Sequence, residues 1–242
     1  VSTKVSDPNK KGGAGFLWAI VAVVVIAIVV IGYIIFSGQG AKTEHLADRE
    51  YEEVAFTADY HDGMVTLAAE DVADDAAEVH LYEDFSCPHC ATLAENTDAD
   101  MKNAIEDGQL VVNVHPLNFL DRGNTDGHST QAVAAILAVA ETGDPALYWN
   151  YRSVLMEEQE DIYNKWSNDD FANAAEELGA PGDVVDSIRN GEYHDQAIEV
   201  AQGNAQQLEE QTGSVSSPRV LQNGQDVEVA DINQWVDAVV GQ

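Results

Sequence analysis

The sequence predicts an α/β domain in which a β-α-β unit and a closing α-β-β-α unit are separated by a block of helices. Three observations carry that prediction. A strand-like run at 79–83 passes into Cys87-Pro88-His89-Cys90, after which apolar residues recur at helical spacing as far as Gly108. Residues 118–190 then carry one helical pattern after another. Near the end, Asn223-Gly224 lies between two short β-branched runs, the pairing that specifies a two-residue hairpin turn.

In front of this domain, residues 16–36 (FLWAIVAVVVIAIVVIGYIIF) contain no charged side chain. A helix of that length spans roughly 30 Å, the thickness of a bilayer core. Trp18 and Tyr33 lie near its two ends, where interfacial aromatics are favoured. Lys4, Lys10 and Lys11 precede it, whereas Asp48, Glu50, Glu52 and Glu53 follow. The positive-inside rule therefore puts 1–15 in the cytoplasm and the bulk of the chain outside. A cleaved signal peptide is the rival reading, with small residues at Gly38-Gln39-Gly40-Ala41, but the apolar run exceeds the usual signal core of roughly 7–15 residues. The expected organisation is a cytoplasmic tail (1–15), an uncleaved single-pass transmembrane helix (16–36), a stalk (37–52) and a folded domain (53–242) with its helical insertion at about 118–190. The domain is exported on either reading, into a compartment where disulfides form.

Charge narrows the partners. The chain carries a formal net charge of -32, and residues beyond 41 hold 8 basic against 42 acidic side chains. Such a surface repels nucleic acid and anionic lipid headgroups and favours solubility. Adaptation to high salt and a generally acidic exported domain both fit this composition.

Taken in order, 53–57 and 64–67 read as strands joined at Asp62-Gly63. Residues 70–77 form an acidic loop or short helix before the 79–83 strand. A helix begins at about Pro88, a favoured first-turn residue, with Cys90, Leu93, Ala94, Met101, Ala104 and Ile105 on its apolar side. The run 110–114 is a second strand, parallel to the first because a helix connects them. After a polar loop at 118–127, helices are expected at 129–142, from Asp144-Pro145 through Leu155, from Ser167 to Gly179, at 183–189 and at 192–211. Strands at 219–221 and 227–229 and a final helix capped by Asp231, with Ile232, Trp235, Val236 and Val239 inward, complete the chain.

Cys87 and Cys90 are the only cysteines. A cysteine at a helix N-terminus meets the positive end of the macrodipole and unsatisfied N–H groups, and both stabilise a thiolate. Cys87 is thus the expected nucleophile. Cys90, one turn on and inward, is the expected resolving thiol. His89, cationic or donating a hydrogen bond, would favour the Cys87 thiolate, whereas nearby Glu83 and Asp84 would oppose it. Other uses of the pair are weaker. Zinc needs about four ligands, and no second ligand pair stands at suggestive spacing. A structural bridge between residues three apart removes little chain entropy.

A strand ending in Glu-Asp-Phe, followed by Cys-Pro-His-Cys opening a helix, resembles the DsbA-like thiol–disulfide oxidoreductases of the thioredoxin superfamily. With its single-pass anchor the chain is similar to membrane-tethered members in Gram-positive, especially actinobacterial, bacteria. The resemblance covers about 55–240 and implies a thioredoxin-like fold carrying an inserted helical domain. It implies catalysis by Cys87 and Cys90, with Pro88 and His89 tuning them. It also implies a facing cis-proline loop at Ser217-Pro218 that binds the substrate backbone; the family usually has Thr or Val where this chain has Ser217. The redox-active disulfide would serve without a cofactor or metal. Implied partners are exported proteins with free cysteines and a membrane re-oxidant. A reductase or isomerase of the same fold and a non-catalytic client-binding module are the alternative readings. Lesser candidates are Arg219 as an aid to the thiolate, Trp149, Tyr151, Tyr163 and Trp166 as groove or core aromatics, His115 as a structural histidine, and the acidic runs 157–158 and 160–161 as a solvated face.

Overall fold

The computed structural model describes residues 18–29 and 42–241. The chain divides into two units, 1–42 and 43–242. In the first, residues 18–29 form helix α1, whose side chains are exposed. The predicted tail, both ends of the predicted 16–36 span and the stalk as far as residue 41 lie outside the described residues. Among the described residues no helix is long and apolar enough to cross a membrane.

The second unit is built on a six-stranded sheet of β1 (Thr57–His61), β2 (Met64–Ala68), β3 (Ala77–Asp84), β4 (Leu110–Leu117), β5 (Arg219–Gln222) and β6 (Gln225–Asp226). Their order is β1-β2-β4-β3-β5-β6. Strands β3 and β4 run parallel, joined by α2 (Pro88–Glu106), and every other pair is antiparallel. Alternation along β3 sends Val79 and Leu81 into the main core with Leu93, Met101 and Ile105 of α2. Tyr82 points the other way, into a smaller cluster with Leu117, Leu208 and Leu221. The insertion comprises α3 (His128–Ala140), α4 (Pro145–Glu157), the short α5 (Gln159–Ile162), α6 (Asn168–Glu177) and α7 (Gly182–Asn190). Helices α8 (His194–Thr212) and α9 (Trp235–Val240) complete the unit. The predicted caps form: Asp144 accepts from Leu147 N–H at 3.0 Å, and Ser167 and Asp170 make a capping box.

Four expectations are corrected. The first strand lies at 57–61 rather than 53–57, and the last at 225–226 rather than 227–229. The cause is the same at both ends. In Asp62-Gly63 (φ 49° and 79°) and Asn223-Gly224 (φ 54° and 75°) both residues are left-handed. Such turns pair the residues that flank them directly, here His61 with Met64 and Gln222 with Gln225. The folded unit begins at Thr43 rather than 53, because the supposed stalk is docked. Leu46 is buried, Arg49 pairs with Glu157, and Glu52 exchanges backbone hydrogen bonds with the Asn150 amide. Ile232 points outward, in a 3-10 turn that precedes α9.

Candidate active site

Strand β3 ends at Asp84, and a tight turn closed by Cys87 N–H on the Asp84 carbonyl (2.8 Å) delivers Cys87 to the N-cap of α2. Pro88 opens the helix, where its missing N–H costs nothing. Cys90 follows one turn on, with its N–H on the Cys87 carbonyl at 2.9 Å. Both cysteines are free thiols and buried. Strand β5 pairs with β3 through Tyr82 and Arg219, so the segment before it is carried up to the cysteines. The Ser217–Pro218 peptide is cis, and the Cys87 thiol donates to the Ser217 carbonyl at 3.4 Å.

The two thiols are driven apart in acidity. The Cys90 S–H bond to Cys87 holds the Cys87 thiol down at about 5, against burial, with further help from Ser217 and from the backbone N–H groups of Cys90 and His89. Burial, with the adjoining Cys87 sulfur, pushes Cys90 well up. One sulfur is therefore a thiolate at neutral pH and its neighbour a proton carrier.

The expected tuning residues act differently from the sequence reading. His89 contributes its backbone N–H, while its exposed ring makes no hydrogen bond among the described residues. The opposition expected from Glu83 and Asp84 is absent because both carboxyls are otherwise engaged. Glu83 is buried and gripped by Arg152 of α4, at 2.9 Å from Nε and 2.7 Å from Nη2, and the same guanidinium reaches Asp98 at 2.6 Å. Asp84 accepts from Ser86 N–H (2.9 Å), Leu120 N–H (3.2 Å) and the Ser129 hydroxyl (2.6 Å). Burial pushes its carboxyl up to about 6. Arg219 is committed to Asp226 and to the hydroxyls of Thr212, Ser214 and Ser216, so it braces the loop before β5. Arg152 and Ser129 were not singled out in the sequence.

At Asp84 that shift couples protonation to folding. A carboxyl whose folded pKa lies above its unfolded value stabilises the fold most when protonated, and that contribution is lost as pH rises from about 4 through about 6. The whole effect is about 3 kcal/mol. The difference in unfolding free energy between the native protein and Asp84→Asn, followed from pH 4 to 7, is expected to change by that order. A flat difference would refute the assignment.

Of the aromatic candidates, Trp149, Tyr151 and Trp166 are core, and Tyr163 is exposed. His115 is buried, stacked on Tyr82 at 4.4 Å and hydrogen bonded to His80 and Asn204. Glu157 and Glu158 pair with Arg49 and His45. Two hollows open beside Pro88. One of about 470 Å³ is bordered by Glu95, Met156 and Glu157, and the other of about 720 Å³ by Ser86, Arg122 and Tyr163; Gln159 and Glu160 line both.

The family described as Thioredoxin matches residues 73–239. Among solved structures, the MdbA thiol-disulfide oxidoreductase of Corynebacterium diphtheriae is similar at 48% identity and a TM-score of 0.77, over 80% of this chain and 98% of that one. MdbA of Corynebacterium matruchotii is similar at 38% identity and the same TM-score, over 82% and 98%. Oxidised DsbA of Mycobacterium tuberculosis, at 20% identity and a TM-score of 0.59 over 74% and 93%, shares the fold. Among curated proteins, the serine/threonine-protein kinase PknE of Mycobacterium tuberculosis is 31% identical over 118 residues, 47% of this chain. The match spans about a fifth of the kinase's length (21%).

Proposed function

The chain belongs to the thioredoxin family, among its DsbA-like thiol–disulfide oxidoreductases, and from that premise we propose that it works outside the cytoplasm, anchored by residues 16–36, oxidising the cysteines of exported proteins. A client thiolate attacks the Cys87 sulfur of the Cys87–Cys90 disulfide. The bond breaks, Cys90 leaves and takes up a proton, and a mixed disulfide joins the client to Cys87. A second client thiolate attacks the client sulfur of that bond and expels Cys87 as a thiolate. The client is oxidised by two electrons and the enzyme reduced by two, to be returned to the disulfide by a membrane re-oxidant. The cysteine pair is the whole redox group on this reading, with no cofactor or metal. Ser217 and Pro218 present the backbone that meets the client segment.

The observation that carries the direction is Cys87 at the N-cap of α2 beside Cys90, a placement that holds its thiol down at about 5. A stabilised thiolate is a good leaving group and favours the reduced enzyme, so the disulfide is a strong oxidant. The reduction potential of the pair, measured by equilibration with glutathione, is expected near the oxidising end at about -120 mV. A value near about -270 mV would reverse the direction and make the protein a reductase. The anchor is supported by the apolar run 16–36 and the lysines before it. Fractionation of the full chain with the membrane, and protease access to the domain from outside the cell, test that placement.

A further inference from the structure

His80 of β3 and His115 of β4 stand with Nδ1 of the first 2.8 Å from Nε2 of the second. The other nitrogen of His115, Nδ1, lies 3.3 Å from Oδ1 of Asn204 on α8. The neighbours decide where the protons sit. Asn204 Nδ2 donates to the Gly63 carbonyl (2.9 Å) and to the Pro116 carbonyl (3.0 Å), which turns Oδ1 toward His115. His115 therefore carries its proton on Nδ1 and accepts at Nε2. His80 in turn carries its proton on Nδ1 and gives it to His115, which leaves His80 Nε2 as the basic atom at the end of the row.

This row takes a first proton easily and a second only by breaking. The first goes to His80 Nε2, on a half-buried ring, and no hydrogen bond within the row changes. Glu78, two residues back on β3 and held by Asn113 Nδ2 at 2.8 Å, favours that charge. A second proton has only His115 Nε2 to go to, where the His80 N–H already points. Two N–H groups would then meet head to head, one of them on a buried imidazolium. The described residues packed around His115 bring no carboxylate to offset that charge. Tyr82 stacks on it, and Leu221 and Arg219 of β5 stand opposite His80 and Tyr82, with Arg219 committed to Asp226. Thr66 of β2 donates to Asn113, and the buried residues of α8 are Ala197, Ala201, Asn204 and Leu208. Burial accordingly pushes both imidazoles down, His115 to about 4.

Through Asn204, α8 is fastened to β4 and to the β1–β2 turn. About two turns further on, α8 ends at Thr212. Arg219 ties the Thr212 hydroxyl to those of Ser214 and Ser216, in the loop that brings Ser217 to Cys87. We propose that His80, His115 and Asn204 form an acid-sensitive clamp, which holds α8 on the sheet while His115 is neutral and loosens α8 and the Ser217 loop when His115 is protonated. The second proton parts the rings, and water reaches the His115 cation only if α8 lifts. A histidine whose folded pKa is lowered favours the fold at neutral pH, and that contribution is lost as pH falls from about 6.5 through about 4.

Two measurements on the full chain test the clamp, both on the disulfide form so that no Cys87 thiolate titrates. Nitrogen NMR of labelled histidine at neutral pH is expected to find both His80 and His115 protonated on Nδ1 and bare on Nε2. A proton on His115 Nε2 at neutral pH overturns the proposal without any variant. Hydrogen exchange read by mass spectrometry in dilute solution then follows the backbone as pH falls. Peptides covering α8 and residues 213–218 are expected to lose protection about tenfold more than those of α2 as pH passes through about 4. His80→Ala removes the opposed N–H and lets water meet Nε2, so this selective loss should disappear. Asn204→Leu removes the grip itself and should loosen α8 already at neutral pH. An equal loss in α2 and α8, or a selective loss that persists in His80→Ala, overturns the clamp.

Discussion

Replacing Arg152 by alanine is expected to cost about 3–5 kcal/mol of stability, the usual consequence of removing one member of a buried ion group. The guanidinium is 1% exposed and holds Glu83 and Asp98 together. Without it the fully buried Glu83 carboxylate is left facing the half-buried Asp98 with no counter-charge. Against a total of about 5–15 kcal/mol for an ordinary domain, this is a large fraction. Urea unfolding at neutral pH measures it, and a loss below about 1 kcal/mol would mean that solvent reaches the cluster after all. A triple variant, Arg152→Met with Glu83→Leu and Asp98→Leu, separates charge from packing. Apolar replacement of a whole buried ion group is often neutral, so the triple variant should recover most of the loss. The effect also reaches the chemistry. Glu83 lies four residues before Cys87 on β3, and an unpaired carboxylate there would raise the pKa of the thiol by like-charge repulsion. The alkylation midpoint of Cys87 in Arg152→Ala is therefore expected above about 5.

What the sequence made legible was the part that depends on neighbours along the chain. Pro88 after Cys87 marks the helix start, the helix start marks the nucleophile, and the Asn223-Gly224 turn marks the hairpin that follows Pro218. Arg152 was not legible for two reasons. Its partner Glu83 lies 69 residues away. In addition, every residue from Leu147 to Met156 is buried, including Asn150, Arg152 and Ser153. A helix packed on all sides has no polar face, so periodicity cannot show which polar residue has an inward partner. The available signal was an arginine inside an apolar helix, in a chain with only 11 basic residues. The docked segment 43–52 was missed for a related reason. Its anchors are Arg49, His45 and Glu52, polar side chains that match two carboxylates and the Trp149 indole N–H, with Leu46 as the buried apolar contact. Hydropathy reads such a stretch as a solvated stalk. The contribution of His89 was misassigned between ring and backbone, because sequence shows a side chain's chemistry and not where it points.

Cys87→Ser is expected to abolish oxidation of reduced proteins, since the sulfur that accepts the client is gone; unimpaired oxidative refolding by that variant would leave the protein a binding module. The sharper experiment is at Cys90. In the native protein the Cys87 thiolate should titrate with a midpoint at about 5, read from the pH dependence of its alkylation. The thiolate then outnumbers the thiol roughly a hundredfold at neutral pH. The largest support for it is the Cys90 S–H bond, ahead of the Ser217 and backbone contributions. Cys90→Ala removes that donor and is expected to raise the midpoint by more than one pH unit. Cys90→Ser keeps an O–H at the same place and should stay nearer the native midpoint. If alanine and serine raise it equally, the neighbouring donor is not what holds the charge, and the helix terminus and the Ser217 loop must do so. The sign carries over to folding of the reduced protein. A thiol whose folded pKa is lowered contributes stability that is fully present above its unfolded value of about 9 and is lost as pH falls through about 5. Reduced native protein should therefore gain stability between pH 5 and 9 relative to Cys87→Ala, while the native disulfide form, which lacks a thiolate, has no such term. That asymmetry is the thermodynamic content of an oxidising disulfide: what stabilises the Cys87 charge stabilises the reduced state, and the bond it replaces is correspondingly easier to give away.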